Sequence, residues 1–412
     1  MAAPLRIALL TYRGNPHSGG QGVYVRYLSR ALTELGHHVE VFSGPPYPDL
    51  DEGVAFTPVE SLDLYRSGDP FRRPRRDEFG DWIDVLEYAA MCTAAFPEPL
   101  TFSLRLARLM RARSREFDIV HDNQCFGYGL LDVARRIPCV ATIHHPITID
   151  RRLELANSRG LRRISLRRWY AFTKMQARVA RRMPKLLAAS ESAKRDAIDA
   201  MQLIPGRIDV VQNGVDTELF RALDDSRRAP GRLITTTSAD VPIKGLVYLI
   251  EALAKLRTER DAELVVIGKP RPGGAVQRAI DRFGLGPHVK FETGIESLRL
   301  VELYSQAEVA VIPSLYEGFS LPAAEAMSCE VPLVATTGGA LPEVVGTDGT
   351  AGLLVPPKDA GELAAAIGRL LDAPELRRRM GAAGRQRVME RFTWTRTAAA
   401  TADLYENVVG RC

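Results

Sequence analysis

Glu317 and Glu325 bracket the stretch Glu317-Gly-Phe-Ser-Leu-Pro-Ala-Ala-Glu325. A carboxylate accepts two hydroxyl hydrogen bonds at once, so one glutamate could hold a sugar and the other a ribose. The stretch follows the apolar run Val309–Ile312 and leads into a helical pattern, which puts Glu317 in a loop and Glu325 a little over one turn into a helix. Between them Gly318, Phe319, Ser320 and Leu321 offer successive backbone N–H groups at a helix start, an arrangement that suits an anion.

Three further groups could join this chemistry. Lys244, in Asp240-Val-Pro-Ile-Lys244-Gly245, stands just before a helix start, where its ammonium would neutralise a phosphate; alone it reads equally as a solvated lysine. His17-Ser-Gly19-Gly20-Gln21-Gly22 is a glycine-rich turn that lets backbone approach a ligand, or only turns the chain. In Thr142-Ile-His144-His145-Pro146, a histidine could polarise a leaving group or hold a hydroxyl, or be satisfied by loop backbone.

The elements that must position these residues alternate along the chain. Strands are expected at Arg6–Thr11, Val39–Ser43, 118–120, Cys139–Ile143, 186–189 and 208–211. The first strand is followed by a loop over 14–22 and a helix over 23–35. Further helices are expected over 100–113 and 129–136, and Ser190 is a plausible N-cap for another. The second half has a cleaner rhythm. Strands at Arg232–Thr236, Glu263–Ile267, 289–291, Val309–Ile312, 332–335 and 352–355 are separated by helices starting near Gly245, Gly274, Ser297, Leu321 and Pro342. Strands alternating with helices mean βαβ units and parallel sheets. The reading is α/β: two doubly wound domains over 1–214 and 215–390, a polar linker at 224–231, and a final helix from Trp394 to Val409, within 391–412, returning to the first domain. Ligands of such sheets sit beyond the carboxyl ends of the strands, so facing domains would share a cleft there.

The 412 residues exceed one compact core, and 46% hydrophobic with 25% charged residues excludes a disordered or collagen-like chain. The opening residues are too short and strand-like a run for a signal peptide, and no apolar run is long enough to span a bilayer; the expectation is a cytoplasmic protein. Five cysteines at irregular spacing argue against a disulfide framework, a zinc site or a redox pair. Net charge is only +5, but residues 151–185 hold twelve arginines and lysines against the single acid Glu154. Interleaved apolar residues predict an amphipathic basic helix. It reads as a solvated face paired with acids elsewhere, or as a surface for an anionic membrane leaflet or a phosphorylated acceptor, with nucleic acid a weaker third option. Nothing resembles an aromatic-interleaved stripe for nucleic acid.

Taken together, Gly19-Gly-Gln-Gly-Val-Tyr-Val-Arg-Tyr-Leu28, Gln212-Asn-Gly-Val-Asp216, Pro242-Ile-Lys-Gly245, the run Ser314–Met327, Thr337-Gly-Gly-Ala-Leu-Pro-Glu343 and Gly352-Leu-Leu-Val-Pro-Pro357 resemble the retaining glycosyltransferases of family 4, which have the two-Rossmann GT-B fold. The resemblance covers nearly the whole chain and is weakest over 44–115. It implies a nucleotide diphosphate sugar as donor, UDP favoured over GDP, with no metal and no cofactor, and transfer of a hexose or N-acetylhexosamine to an unidentified acceptor. In that pattern Glu317 would hold the transferred sugar, Glu325 the ribose and Lys244 the diphosphate, beside Gly20, Gly22 and the Gly318–Leu321 amides. Gly294 and Ile295 fall in the base-contacting loop, and His144 matches the first-domain histidine near the sugar. Acceptor contacts would fall on His17, Gly19, Gln21, Asn123 and His145. The implied mechanism is front-face transfer with retention, since no motif carboxylate matches a covalent nucleophile.

One departure stands out: where the family usually carries an arginine five residues before the lysine, this chain has Ala239. Lys269 or Arg271 could substitute for the lost guanidinium. The departure also keeps open a sugar phosphorylase or nucleotide-sugar epimerase on the same fold. A non-catalytic sugar-nucleotide-binding protein is the reading from a different class.

Overall fold

The computed structural model describes residues 3–15, 20–66, 68–156, 158–223, 228–237 and 241–410. It divides into two units, Met1–Gln212 with Thr397–Cys412, and Asn213–Arg396.

Among the described residues the first unit holds seven strands: β1 (Arg6–Thr11), β2 (His38–Ser43), β3 (Ala55–Pro58), β4 (Ile119–Asn123), β5 (Cys139–Ile143), β6 (Lys185–Ala188) and β7 (Ile208–Val210). They form one parallel sheet in the order β3-β2-β1-β4-β5-β6-β7. The order reverses between β1 and β4, the switch point where such sheets place ligands. Its helices are α1 (Gly20–Glu34), α2 (Trp82–Cys92), α3 (Glu98–Arg113), α4 (Gly129–Val133), α5 (Thr148–Ala156), α6 (Gly160–Trp169), α7 (Phe172–Ala180) and α8 (Glu191–Met201). Leu10, Phe42, Val120 and Ala141 fill the core between strands and helices, each fully buried.

The second unit holds a six-stranded parallel sheet in the order β10-β9-β8-β11-β12-β13. Its strands are β8 (Arg232–Thr236), β9 (Glu263–Ile267), β10 (Val289–Glu292), β11 (Val309–Ile312), β12 (Leu333–Thr336) and β13 (Leu353–Val355). Its helices are α9 (Leu246–Leu256), α10 (Ala275–Arg282), α11 (Ser297–Gln306), α12 (Leu321–Ser328), α13 (Leu341–Val345), α14 (Ala360–Leu371) and α15 (Pro374–Arg391), and α16 (Trp394–Val409) follows. β11 and β12, inside this sheet, are buried along their whole length, as helices on both sides require, whereas the edge strand β10 exposes Lys290.

The structure departs from the sequence reading in several places. Gly20 and Gly22 are not in a loop: α1 begins at Gly20, and a Cβ on Gly22 would lie 2.1 Å from the Asn15 carbonyl oxygen, so the helix seats there only with glycine. The single basic helix expected over 151–185 is three short helices and the start of β6. Gly160 enters α6 at φ +58°, which an uninterrupted helix cannot contain, and Pro184 precedes β6. The helix expected over 129–136 stops at Val133. Residues 228–231 are not a free linker. The Arg228 guanidinium donates to the carbonyls of Ala307 and Glu330 at 2.6 and 2.8 Å, and the Gly231 amide donates to Glu308 at 2.7 Å. Residues 224–227 of that stretch lie outside the described residues.

Candidate active site

In the second unit the site is built where β11 ends. Gly245 turns the chain at φ +67°, and a Cβ there would meet the Pro313 carbonyl oxygen at 2.0 Å, so the segment after β8 lies directly against the segment after β11. The Leu315 amide closes the contact by donating to the Ile243 carbonyl at 2.7 Å. This brings Lys244 to Glu317. The ammonium donates to both carboxylate oxygens, at 2.9 and 3.0 Å, and the Ser314 hydroxyl donates to Oε1 at 2.7 Å. Glu317 is only 9% exposed. An ammonium has three donors, and these contacts use two.

The backbone around Glu317 is equally constrained. Gly339 sits at φ +62°, and a Cβ would lie 2.3 Å from the Glu317 carbonyl oxygen, which accepts from the Ala340 amide at 2.9 Å. Ser320 adopts φ +93° and caps α12, its hydroxyl accepting from the Ala323 amide at 3.4 Å. That left-handed residue is costly for a non-glycine side chain, and it turns Gly318–Ser320 into the N-terminus of α12. The Phe319 ring is buried against Phe392, 5.5 Å between centroids, which anchors the loop from behind, and Leu321 opens the helix half-buried.

Glu325 lies one turn further along α12. Burial pushes its carboxyl up to about 7, against the opposing pull of a Tyr304 hydrogen bond. The Tyr304 hydroxyl is itself 2.9 Å from the Thr236 hydroxyl at the end of β8. Glu317 is thus fixed by a cation, Glu325 by a phenol. Gly294 turns at φ +64° in an exposed loop after β10 with nothing near its Cβ position, and Ile295 is half-buried. Lys269 and Arg271 are exposed after β9. Ala239 lies outside the described residues, as do His17 and Gly19.

The first unit gathers a second constellation at the carboxyl ends of β4 and β5. Asn123 Nδ2 donates to the Gln21 carbonyl at 3.2 Å, which turns Oδ1 toward His144 Nε2, 2.5 Å away. An amide oxygen only accepts, so His144 carries its proton on Nε2 and leaves Nδ1 as an acceptor. Burial lowers the His144 pKa to about 4 and keeps the ring neutral. The Tyr24 ring meets it edge-on at 4.6 Å. Gln124, at φ +58°, accepts from the amides of His144 and His145 at 2.5 and 3.2 Å and donates to the His145 carbonyl at 2.6 Å, clamping the loop. His145 Nε2 pairs with Asp150 at 2.8 Å.

Of the residues singled out in the sequence, Lys244, Glu317 and the Gly318–Leu321 turn come together in one place, and Gln21, Asn123 and His144 in another. Sequence reasoning missed Ser314, Gly339, Tyr304, Tyr24, Gln124 and His121. His121 is fully buried in β4, Nδ1 2.5 Å from the Tyr405 hydroxyl and Nε2 2.6 Å from the Thr142 hydroxyl, with its pKa lowered to about 3 by burial and by His144. The available signal for it was a run of three polar residues closing a strand, visible in Ile119-Val-His-Asp-Asn123.

Known proteins share this architecture and sequence. Residues 226–387 match the family described as glycosyl transferases group 1, and residues 18–219 the family described as glycosyltransferase family 4. The MMP alpha-(1->4)-mannosyltransferase of Mycolicibacterium hassiacum is 51% identical over 409 residues, 99% of each chain. The D-inositol 3-phosphate glycosyltransferase of Frankia alni is 30% identical over 96% of each chain. Among solved structures, sucrose-phosphate synthase from Thermosynechococcus elongatus superposes with a TM-score of 0.75 at 23% identity, covering 99% of this chain and 100% of that one. Anabaena Alr3699/HepE in complex with UDP and glucose gives 0.71 at 17% identity, covering 97% and 99%. At these identities the structural likeness establishes the GT-B fold.

Proposed function

The chain belongs to the group 1, family 4 glycosyltransferases, and we propose that within them it is a retaining mannosyltransferase, moving mannose from a nucleoside diphosphate to a hydroxyl of an acceptor sugar. The observation that carries this reading is the Glu317 constellation: a fixed carboxylate, a lysine with a donor to spare and the amides of a helix start, brought together where the segments leaving β8 and β11 meet. Mannose and the α-(1→4) linkage are taken from the name of the relative at 51% identity across 99% of both chains.

In this reading Glu317 accepts from hydroxyls of the transferred sugar, and Glu325 from those of the ribose. Lys244 and the Gly318–Ser320 amides neutralise the diphosphate as charge develops on it, work that a metal would otherwise do. Gly294 and Ile295 are assigned to the base. His144, neutral and with Nδ1 free to accept, binds a sugar hydroxyl; Asn123, Gln21 and His145 lie beside it for the acceptor. The bond between the anomeric carbon and the diphosphate oxygen breaks, and its electron pair goes to the diphosphate. The acceptor oxygen bonds the anomeric carbon on the same face, and its proton passes to the departing diphosphate oxygen. An α-linked nucleotide sugar then gives an α-linked product.

Uridine was the base favoured on the sequence; a mannosyl donor favours guanosine, since mannose is commonly activated as GDP-mannose. Calorimetric titration with GDP and UDP, each with and without magnesium, separates the two. Micromolar binding of one nucleotide without metal supports the transferase reading and names the base. Binding of neither makes Ala239 the central feature and turns the reading toward phosphorylase or binding-protein chemistry.

A further inference from the structure

Donor and acceptor chemistry leave the arginine-rich segment unused, and its middle helix has an unusual exposure. No residue of α6 is buried, and Leu161 and Ile164 stand 84% and 63% exposed. Leu166 and Trp169 form its inner, half-buried side, with Trp169 packed on Phe96 at 5.1 Å and Tyr65 at 5.6 Å between ring centroids. At 3.6 residues per turn the opposite side presents Leu161 and Ile164 flanked by Arg163, Arg167 and Arg168.

These cations are not balanced locally. Among the described residues Arg162, Arg163 and Arg167 are exposed and have no ion pair, so the reading of a solvated face paired with acids fails for this helix. Glu154, the only acid in 151–185, instead accepts from the Tyr170 hydroxyl at 3.0 Å. Arg168 donates to the Thr93 hydroxyl and carbonyl at 3.1 and 3.3 Å.

We propose that α6 docks the protein on an anionic lipid surface, its arginines meeting phosphate head groups while Leu161 and Ile164 enter the acyl boundary. Charge complementarity selects the partner. A second copy of this face would set arginines against arginines, and a nucleic acid backbone offers no apolar layer for two aliphatic tips. The geometry is that of a short helix lying in the interface plane. No helix of the described residues is long and apolar enough to cross a membrane, so the contact is peripheral. The proposal rests on the surface of the first unit alone, independently of the donor reading.

The test is co-sedimentation with vesicles of phosphatidylcholine alone and of equal parts phosphatidylcholine and phosphatidylglycerol. Binding is expected only to the anionic vesicles, weakening with salt. Arg163→Gln/Arg167→Gln should weaken it roughly 25-fold, from about a factor of five per cation. Leu161→Ser/Ile164→Ser should weaken it at least about tenfold, with charge unchanged. Circular dichroism spectra and thermal melts like the parent's report that both variants are folded. Equal binding to neutral vesicles, no binding to anionic ones, or a serine variant that binds like the parent would overturn the proposal; the last would leave charge alone, as for an acidic protein or a nucleic acid.

Discussion

Lys244 and Glu317, 73 residues apart, form a two-pronged ion pair at 2.9 and 3.0 Å beneath the loop that opens α12. The pair exists because β8 and β11 are neighbours in the sheet, so the loops leaving their carboxyl ends must touch. Its two members face different surroundings: the lysine side chain is 30% exposed and the glutamate side chain 11%.

That asymmetry predicts unequal costs. Lys244→Ala leaves Glu317 with Ser314 as its remaining side-chain partner and should destabilise the second unit by about 1–3 kcal/mol. Glu317→Gln leaves the lysine able to reach water and should cost less than about 1 kcal/mol. Urea unfolding of both variants checks the order. Both should lose about 100-fold or more in kcat/KM, so activity and stability separate in the glutamine variant.

Gly339→Ala puts a Cβ 2.3 Å from the Glu317 carbonyl oxygen at a positive φ. Backbone cannot yield there as a side-chain tip would, so a cost of about 2 kcal/mol or more is expected, with Glu317 displaced. Gly294→Ala, also at positive φ but with open space around it, should cost about 1 kcal/mol. Thermal melts of the two variants make the comparison.

Asn123→Asp should reverse the electrostatics of His144. A carboxylate 2.5 Å from Nε2 favours the imidazolium, so the His144 pKa, now lowered by burial to about 4, should rise to near or above its ordinary value of about 6.5. Titration of the imidazole by NMR reads this directly, and kcat should fall at the pH where the ring becomes charged.

Asp122 gives a pH signature of the opposite kind from His121 and His144. Burial raises its carboxyl from 3.8 to about 7; Oδ2 accepts from the Phe126 amide at 2.9 Å, and Oδ1 has no partner. The folded state holds the proton where the unfolded chain has lost it, so this contribution to stability falls as pH rises from about 4 to about 7. Asp122→Asn should remove that slope and stabilise the protein at pH 8 by about 1–3 kcal/mol. For His121 and His144 the folded pKa lies below the unfolded value of 6.5, so stability falls as pH drops below about 6.5 toward 4 and 3. Denaturant midpoints across pH 4–8 for parent and variant test both signs.

How far the fold was legible depended on how locally each element is determined. Arg232–Thr236, Glu263–Ile267 and Val309–Ile312 emerged with their observed limits because each is a short apolar run between turn residues. The spacing of Glu317 and Glu325 was equally visible, since a loop and the helix it opens are contiguous. The pairing of Glu317 with Lys244 was not, because only the neighbouring of β8 and β11 creates it. Over 44–115, β3 escaped notice because it is a four-residue edge strand with largely exposed side chains. α2 was missed although its start is written in Asp81-x-x-Asp84, where each carboxylate accepts from backbone amides near the other residue. The single basic helix failed because periodicity carried the reading past Gly160, whose positive φ divides the segment and produces the exposed face of α6.

Retaining mannosyl transfer, as proposed, depends on the Glu317 constellation. The most direct measurement is NMR of the product formed from GDP-mannose and a mannose oligosaccharide acceptor, with Glu317→Gln run beside the parent. A new α-linked mannosyl anomeric signal is expected, absent with the variant. A β-linked product, release of sugar 1-phosphate on adding phosphate, or an undiminished signal from Glu317→Gln would contradict it.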